Sequence, residues 1–242
     1  MGCRQHCASP LRAESLTCRS SSHLLLWFES NGSHRHRRVT PSDSPPDAAR
    51  RALRARLAAR RRELTPGERA HAAREVARHA LRALPLYAGK RVAIYASLAA
   101  ELDTAPLIAL ARERGCLLYL PRIDRPRSAR GMRFLAMGGT LRRNRLGIDE
   151  PDAAAPRIGA RWLDLVLLPL VGFDRSGVRL GTGGGFYDRA FAFRNHRHSW
   201  HAPRLIGLAY AFQELRQIEA AAHDVRMDAV ITDEGVIQCS TG

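Results

Sequence analysis

The residues best suited to chemistry lie in a glycine-rich segment that begins just after Leu180. Four of its first five residues are glycine, and the second is threonine: Gly181, Thr182, Gly183, Gly184 and Gly185. A backbone with so few side chains can turn several N–H groups toward one point, and such a nest binds phosphate. The segment lacks the Gly-Lys-Ser/Thr ending of a Walker loop, and Phe186 stands where a dinucleotide fingerprint has its third glycine. The glycines alone leave a phosphate cradle and a purely structural turn both open.

Charged and aromatic residues flank this glycine loop. Arg179 precedes it and is suited to a charge-assisted hydrogen bond with phosphate, while Asp188 closes it. A carboxylate beside a phosphate nest suits a Mg²⁺ ion that bridges nucleotide oxygens. The alternative is that Asp188 is an ordinary first-turn helix residue, favoured by the helix dipole. Tyr187 is able either to stack on a base or to fill the core.

A row of arginines runs along one side of the first predicted helix. The Ala/Arg/Leu-rich stretch 47–64 has helical periodicity, and Arg50, Arg54 and Arg61 lie along the edge of its apolar stripe. Like charges four residues apart destabilise a helix slightly unless an anion neutralises them. The row is therefore either a solvated face or a surface that binds an anion.

Alternating helices and strands must position these residues. Thr65-Pro66-Gly67-Glu68 is a capping box with proline at the first helical position, and it predicts a second helix that ends near Leu84. A strand at 91–97, a helix at 104–114 and a strand at 116–121 form a βαβ unit. Such units are typical of parallel sheets.

The rest of the chain continues this pattern. The most apolar strand, 163–170, leads toward the glycine loop, and a helix is predicted at 186–193 directly after it. A short helix is predicted near 212–218, and the remaining predicted strands are 132–136, 205–210 and 228–232. The predicted fold class is α/β, with a mostly parallel open sheet covered by helices.

Composition excludes several classes of protein. The chain has 242 residues, 45% of them hydrophobic, and its longest apolar run, from Leu165 to Gly172, is far shorter than a membrane helix requires. The formal net charge is +16, and all but one of the 39 cationic side chains are arginine. The excess of positive charge indicates either a polyanionic partner or an arginine-rich composition that serves no single function. Aromatic residues make up only 6%, which argues against a nucleic-acid binder.

The first 46 residues differ from the rest. Ser, Arg, His and Pro dominate there without hydrophobic periodicity, so we expect a disordered extension at 1–46 and a single domain at 47–242. Five cysteines, an odd number in a chain of this size, imply no disulfide framework. No segment has the apolar core of a signal peptide, and the expected compartment is a reducing cytoplasm.

A combination of motifs carries a family resemblance. The motifs are Leu168-Pro169-Leu170-Val171-Gly172-Phe173-Asp174, Arg179-Leu180-Gly181-x-Gly183-x-Gly185-Phe186-Tyr187-Asp188 and His223-Asp224-x3-Asp228, with Glu101-Leu102-Asp103-Thr104 after the first strand of the βαβ unit. Together they resemble the 5-formyltetrahydrofolate cyclo-ligase family, also called 5,10-methenyltetrahydrofolate synthetases, over a stretch from about Arg50 to Thr232. The resemblance implies a sheet in the broad class of the sugar-phosphate isomerases and CoA-transferases.

The resemblance also implies a reaction and its participants. ATP phosphorylates the formyl oxygen of 5-formyltetrahydrofolate, nitrogen 10 attacks the activated carbon, and phosphate leaves, giving 5,10-methenyltetrahydrofolate, ADP and phosphate. The substrate is a small molecule with one or more glutamates. Positioning and charge neutralisation dominate such phosphoryl transfer, so no residue is expected to act as a covalent or acid–base catalyst.

Roles follow by matching residues to the family's motifs. ATP would be bound by the helix arginines and the glycine loop, namely Arg50, Arg54, Arg179, Gly181, Thr182, Gly183, Gly184, Gly185, Phe186, Tyr187 and Asp188. Mg²⁺ would be held by Asp188 and Asp224. Glu101 would accept hydrogen bonds from the pterin ring, with Tyr187 nearby. Two other functions remain as alternatives: a basic RNA- or DNA-binding protein, and an isomerase or acyl-CoA transferase on the same kind of sheet.

Overall fold

The structure is a computed structural model that describes residues 45–98, 101–123, 131–138, 141–143, 149–151, 154–196 and 202–240. Its α-helices are α1 Pro45–Glu63, α2 Pro66–Ala83, α3 Ala105–Glu113 and α4 Phe186–Phe191. Its strands are β1 Arg91–Ala93, β2 Leu117–Ile123, β3 Met132–Ala136, β4 Leu141–Arg143, β5 Asp149–Pro151, β6 Arg157–Ile158, β7 Leu165–Pro169, β8 Gly172–Phe173, β9 Arg179–Leu180, β10 Arg204–Leu208, β11 Ala229–Ile231 and β12 Val236–Gln238. The extension expected at 1–46 falls almost wholly outside the described residues.

The main sheet confirms the predicted fold class. Its eight strands run in the order β12-β11-β10-β7-β1-β2-β3-β6. The pairs β11–β10, β10–β7, β7–β1 and β1–β2 are parallel, whereas the outer strands β12, β3 and β6 pair antiparallel to their neighbours. The protein is therefore α/β, with a mostly parallel mixed sheet.

Helices cover both faces of this sheet. On one face α2 and α3 pack against buried side chains such as Val92 and Leu167, and on the other α4 packs through Phe191 against Phe134 and Val166. No helix in the described part of the chain is long and apolar enough to cross a membrane. Because β1, β7 and β10 are parallel, the segments that follow their carboxyl ends meet at one edge of the sheet, where open α/β sheets place ligands.

The predicted junction between the first two helices forms as expected. The Thr65 hydroxyl accepts the Glu68 amide at 3.2 Å, and the Glu68 carboxylate accepts the Thr65 amide at 2.8 Å, which completes the capping box. Arg69 then reaches back and donates to the carbonyl oxygens of Arg61 at 2.8 Å and Leu64 at 3.1 Å. These bonds satisfy carbonyls at the end of α1 that have no partner within the helix, and so they fix where α1 ends.

Two predicted elements differ from the structure, one in type and the other in length. The predicted helix at 212–218 is only a 3₁₀ turn, Ala211–Gln213. The buried side-chain amide of Gln213 forms hydrogen bonds with the backbone of other segments, and these hold the turn. Its Nε2 donates to Leu170 and Val171 carbonyls at 3.2 and 2.6 Å, and its Oε1 accepts the Tyr210 amide at 2.8 Å. The predicted strand 91–97 ends at Ala93 in the ladder, although the Ile94 amide still donates to the Tyr119 carbonyl at 3.0 Å.

Candidate functional site

The glycine loop is held at the sheet edge by a small antiparallel ribbon. Strand β8 follows β7 and pairs with β9, so residues 181–185 leave the ribbon at a fixed place. Gly183 has φ 100° and Gly185 φ 59°, both in the left-handed region that favours glycine. A Cβ added at Gly181 or Gly183 would meet nothing within 4 Å. The loop therefore presents open backbone at Gly181 and Gly183, whereas the Phe186 and Arg189 side chains lie against Gly184 and Gly185.

Helix α1 brings two of the predicted arginines to this loop. Arg54 Nε donates to the Gly181 carbonyl at 2.8 Å, and Arg50 Nη2 pairs with Asp224 Oδ2 at 3.0 Å. The two arginines are one turn apart, so both lie on the helix face that covers the loop. Arg50 Nε is buried and has no partner among the described residues. The arginine row is thus not a solvated face at these two positions.

Asp188 and Arg179 form a largely buried ion pair. Arg179 Nη2 lies 2.5 Å from Asp188 Oδ1, and their side chains are only 6% and 18% exposed. Arg179 Nη1 donates to the Val225 carbonyl at 2.5 Å, while the Val225 amide donates to Asp188 Oδ1 at 3.1 Å. Arg179 therefore positions both Asp188 and the 224–225 segment. The sequence did not reveal that Arg179 and Asp188 form an ion pair.

The two predicted metal ligands are neighbours in this arrangement. Asp224 directly precedes Val225, whose amide binds Asp188, and Asp224 Oδ2 also accepts the Ala221 amide at 2.9 Å. Among the described residues, no group of three or more His, Cys, Asp or Glu side chains could hold a metal on its own. Two carboxylates are hard oxygen donors that fit Mg²⁺ when phosphate oxygens and water supply the remaining ligands, which is its usual coordination in nucleotide sites.

Glu101 occupies a semi-enclosed corner after β1. Two hydrogen bonds to Leu98 hold it: the Glu101 amide donates to the Leu98 carbonyl at 2.8 Å, and the Leu98 amide donates to Glu101 Oε2 at 3.1 Å. Burial raises the pKa of the Glu101 carboxyl, and the Leu98 amide and the Arg61 charge act in the opposite direction. This carboxylate is poorly hydrated and so is suited to accept hydrogen bonds from a ligand.

Three tyrosines surround this corner. The Tyr95 hydroxyl donates to the Leu102 carbonyl at 3.2 Å, and the Tyr210 hydroxyl donates to the Glu101 carbonyl at 3.5 Å. Burial, and then the negative charge of Glu101, raise the pKa of Tyr187, whereas Arg179 lowers it. The Tyr187 phenol is therefore within electrostatic reach of both the Glu101 corner and the ion pair beside the glycine loop, and its ring stacks on Phe191 at 6.5 Å.

Arg61 is the charged residue of this region that the predicted site omitted. It is only 9% exposed, and its Nε has no hydrogen-bond partner in the described part of the chain. The sequence held one signal, since Arg61 is seven residues, or two turns, beyond Arg54 on the same helix face. Its burial depends on how α1 packs, which spacing alone does not show.

A cavity of about 490 Å³ lies beside α4, apart from these side chains. The described residues that line it are Gly159, Ala160, Arg161, Trp162, Arg189, Ala190 and Phe193. Neither Arg50, Asp224 nor Glu101 is among them. Arg189, which lines this cavity, donates to the Gly184 carbonyl of the glycine loop at 2.9 Å. We therefore assign the candidate site from its charged side chains and open backbone rather than from the cavity.

Comparisons with known proteins agree on one family. The family model described as the 5-formyltetrahydrofolate cyclo-ligase family matches residues 46–233. The 5-formyltetrahydrofolate cyclo-ligase of Escherichia coli K12 is 35% identical over 180 residues, 73% of this chain and 96% of that protein. The mouse cyclo-ligase is 28% identical over 194 residues, 78% of this chain and 95% of that protein.

Solved structures show the same fold. The NMR structure of Aquifex aeolicus 5,10-methenyltetrahydrofolate synthetase matches with a TM-score of 0.63 and 27% identity, over 80% of this chain and 94% of that one. Fold and site thus define an α/β protein of the methenyltetrahydrofolate synthetase type. The family match and the Escherichia coli relative then settle its membership: the chain belongs to the 5-formyltetrahydrofolate cyclo-ligase family.

Proposed function

We propose that this protein converts 5-formyltetrahydrofolate to 5,10-methenyltetrahydrofolate and consumes one ATP per turnover. The observation that carries the proposal is the meeting of Arg54 with the Gly181 carbonyl and of Arg50 with Asp224, in a chain that belongs to the cyclo-ligase family. Cations, open loop backbone and a carboxylate pair are the groups that a metal–nucleotide complex requires. The members of this family are ATP-dependent ligases.

The reaction needs positioning more than covalent help. The formyl oxygen attacks the γ-phosphorus of ATP and ADP leaves. Nitrogen 10 then attacks the formyl carbon and gives up its proton, and the departing phosphate carries away the oxygen and that proton. In our assignment, the loop backbone at 181–185 and the α1 arginines hold the triphosphate. Glu101 holds the pterin end, and Tyr187 lies near both groups. Such an arrangement would hold the reacting oxygen next to the phosphorus, which is the proximity that phosphoryl transfer needs.

Mg²⁺ is the second cofactor that we propose. Asp188 and Asp224 would hold it together with phosphate oxygens, and each carboxylate already has one oxygen fixed by an arginine and a backbone amide. When bound, the ion would neutralise charge on the transferred phosphoryl group. Arg179 and Arg50 keep the two carboxylates oriented.

The proposal is tested by an absorbance assay for methenyltetrahydrofolate. Purified protein incubated with 5-formyltetrahydrofolate, ATP and Mg²⁺ should form the methenyl product together with ADP and phosphate in a one-to-one ratio. Omission of ATP or chelation of Mg²⁺ should stop product formation. Product that forms equally without ATP would contradict the proposal and favour an isomerase- or transferase-type reaction.

Arg54→Gln should weaken ATP binding selectively. The change removes a cation that contacts the Gly181 carbonyl, and we expect the KM for ATP to rise about tenfold, equivalent to ~1.4 kcal/mol, with the KM for 5-formyltetrahydrofolate unchanged. Initial rates over a range of ATP concentrations at saturating folate measure this. Arg56→Gln, an exposed arginine on the same helix, is the matched control. An equal ATP KM in both variants would remove Arg54 from the nucleotide site.

We also propose that residues 47–242 form the catalytic domain, since the family model begins at residue 46 and α1 at Pro45. Deletion of residues 1–44 is expected to leave kcat/KM within about twofold of the full chain, because the assigned site lies entirely beyond them. A larger loss, measured at equal folded fraction, would assign the extension a catalytic role.

The proposed partners are small molecules in a reducing cytoplasm. Two cysteines among the described residues, Cys116 and Cys239, are free thiols, and burial raises the pKa of both. We propose a folate that carries one or more glutamates, and neither a nucleic-acid nor a membrane partner. Arg50, Arg54 and Arg179 support this, because each is engaged within the site rather than on an open basic surface.

A further inference from the structure

Arg61 is a buried cation whose charge has no ion-pair partner among the described residues. Arg61 is only 9% exposed, its Nε has no hydrogen-bond partner, and it forms no ion pair with another described residue. Burial of an unpaired charge is strongly unfavourable, and a packed apolar side chain would be more stable there. A charge kept under such conditions is a candidate for contact with a ligand.

The position of Arg61 along α1 extends the line of site arginines. Arg50 meets Asp224 and Arg54 meets the Gly181 carbonyl, and Arg61 follows Arg54 by two turns, about 10 Å along the helix on the same face. The helix end is fixed, because Arg69 Nη2 donates to the Arg61 carbonyl at 2.8 Å. The side chain therefore approaches the site beyond the glycine loop, away from the Asp224 end.

Contacts around the end of α1 identify what Arg61 approaches. The neighbouring Arg60 lies over the Phe212 ring at 5.8 Å, and Phe212 stacks on Tyr210 with centroids 5.4 Å apart. The Tyr210 hydroxyl donates to the Glu101 carbonyl at 3.5 Å. The last turn of α1 is thus packed against the wall of the Glu101 corner.

Arg61 and Glu101 act on each other without touching. The positive charge of Arg61 lowers the pKa of Glu101, Tyr95 and Tyr210, although for each of the three burial is the larger effect and raises it. Yet neither side chain forms an ion pair with another described residue, so a buried guanidinium and a half-buried carboxylate are both left without a charged partner. A ligand that offers an acceptor next to donors would satisfy both.

We propose that Arg61 is a substrate-binding residue that acts together with Glu101 on the pterin ring of the folate. One edge of that ring carries a carbonyl oxygen beside a ring N–H and an amino group. Glu101 accepts hydrogen bonds from the two nitrogens, and Arg61 donates to the carbonyl oxygen, which gives its guanidinium a hydrogen-bond acceptor. The inference rests on the proposed function, because it assigns Arg61 to the folate rather than to the nucleotide.

Two variants of Arg61 and one control test the pairing. Arg61→Met should raise the KM for 5-formyltetrahydrofolate at least tenfold and leave the KM for ATP within about twofold, whereas Arg61→Lys, which keeps the charge and loses the planar fork, should fall between Met and wild type. Arg62→Met removes an exposed arginine next in sequence and should change neither constant. Calorimetric titration with 5-formyltetrahydrofolate in the absence of ATP should show the same order of affinities.

Thermal unfolding separates this role from a structural one. Arg61→Met replaces an unpaired buried cation with an apolar side chain of similar length, so its Tm should equal or exceed that of the wild type while folate affinity falls. A lower Tm with kcat and both KM values altered together would make Arg61 a scaffold residue and overturn the proposal. Wild-type folate affinity in Arg61→Met, or a selective rise of the ATP KM, would overturn it as well.

Failure of the proposed function would look different. A wild-type protein that binds 5-formyltetrahydrofolate in the calorimeter but forms no methenyl product would contradict the reaction, and the titrations of the Arg61 variants would still decide the pairing. A wild-type protein that does not bind 5-formyltetrahydrofolate would contradict both.

Discussion

Replacement of Asp188 by alanine should lower kcat/KM at least about tenfold, equivalent to ~1.4 kcal/mol or more of transition-state stabilisation. The variant loses a carboxylate that we assign to the metal–nucleotide complex. It also leaves the Arg179 guanidinium, which is 6% exposed, without its anion. Loss of one partner of a buried ion pair costs about 3 kcal/mol, so the free energy of unfolding should fall by about that amount as well.

Metal dependence distinguishes these two effects. We expect activity per folded Asp188→Ala molecule to recover partly when the Mg²⁺ concentration is raised, because weaker metal binding is compensated by mass action. Urea unfolding gives the stability change, and Glu219→Ala, at an exposed acidic position, serves as the control. A loss of activity that is the same at every Mg²⁺ concentration would assign Asp188 to the support of Arg179 alone.

The double role of Asp188 marks the limit of what the sequence could predict. Its place after the glycine loop is a local pattern, and local patterns also predicted the capping box at Thr65 and the βαβ unit, which the structure confirms. The partner of Asp188 is not local in this sense. Arg179 reaches Asp188 across the glycine loop, and the Val225 amide reaches it because the 224–225 segment lies beside α4.

Gln213 and Arg61 are two further residues whose structure could not be predicted from local sequence patterns. The stretch 212–218 was predicted as a helix, yet three hydrogen bonds of the buried Gln213 side chain hold the chain in a 3₁₀ turn instead. Arg61 resembles a surface residue in sequence and is buried in the structure. In each case tertiary packing decides the outcome, and no helical or strand periodicity encodes it.

Glu101→Gln should weaken folate binding more than any other single change in the corner. The substitution replaces an anionic acceptor with an amide that presents a donor to the donors of the ring, and the loss of a charge-assisted hydrogen bond costs about 2 kcal/mol. We therefore expect the KM for 5-formyltetrahydrofolate to rise about thirtyfold, with the KM for ATP unchanged. Glu113→Gln, at an exposed position at the end of α3, is the control. A selective effect on ATP would mean that the two pockets are interchanged.

The pH dependence of folate affinity should report the same carboxyl group. Burial raises the pKa of Glu101, so affinity for 5-formyltetrahydrofolate should fall as the pH drops through that raised pKa, at a higher pH than an exposed glutamate would show. The tyrosines Tyr95, Tyr187 and Tyr210 have raised pKa values and stay neutral over this range. Glu101→Gln should flatten the profile.

Stability should change with pH in the opposite direction. Because the folded protein holds the Glu101 proton more tightly than the unfolded chain does, this group stabilises the fold at low pH, and that contribution is lost as the pH rises through its folded pKa. As the pH rises from acid to neutral, the Tm of Glu101→Gln should therefore increase relative to that of the wild type. Over the same pH range, the folate affinity of the variant should decrease relative to that of the wild type. A variant that loses Tm and affinity together at neutral pH would show that Glu101 supports the fold rather than the substrate.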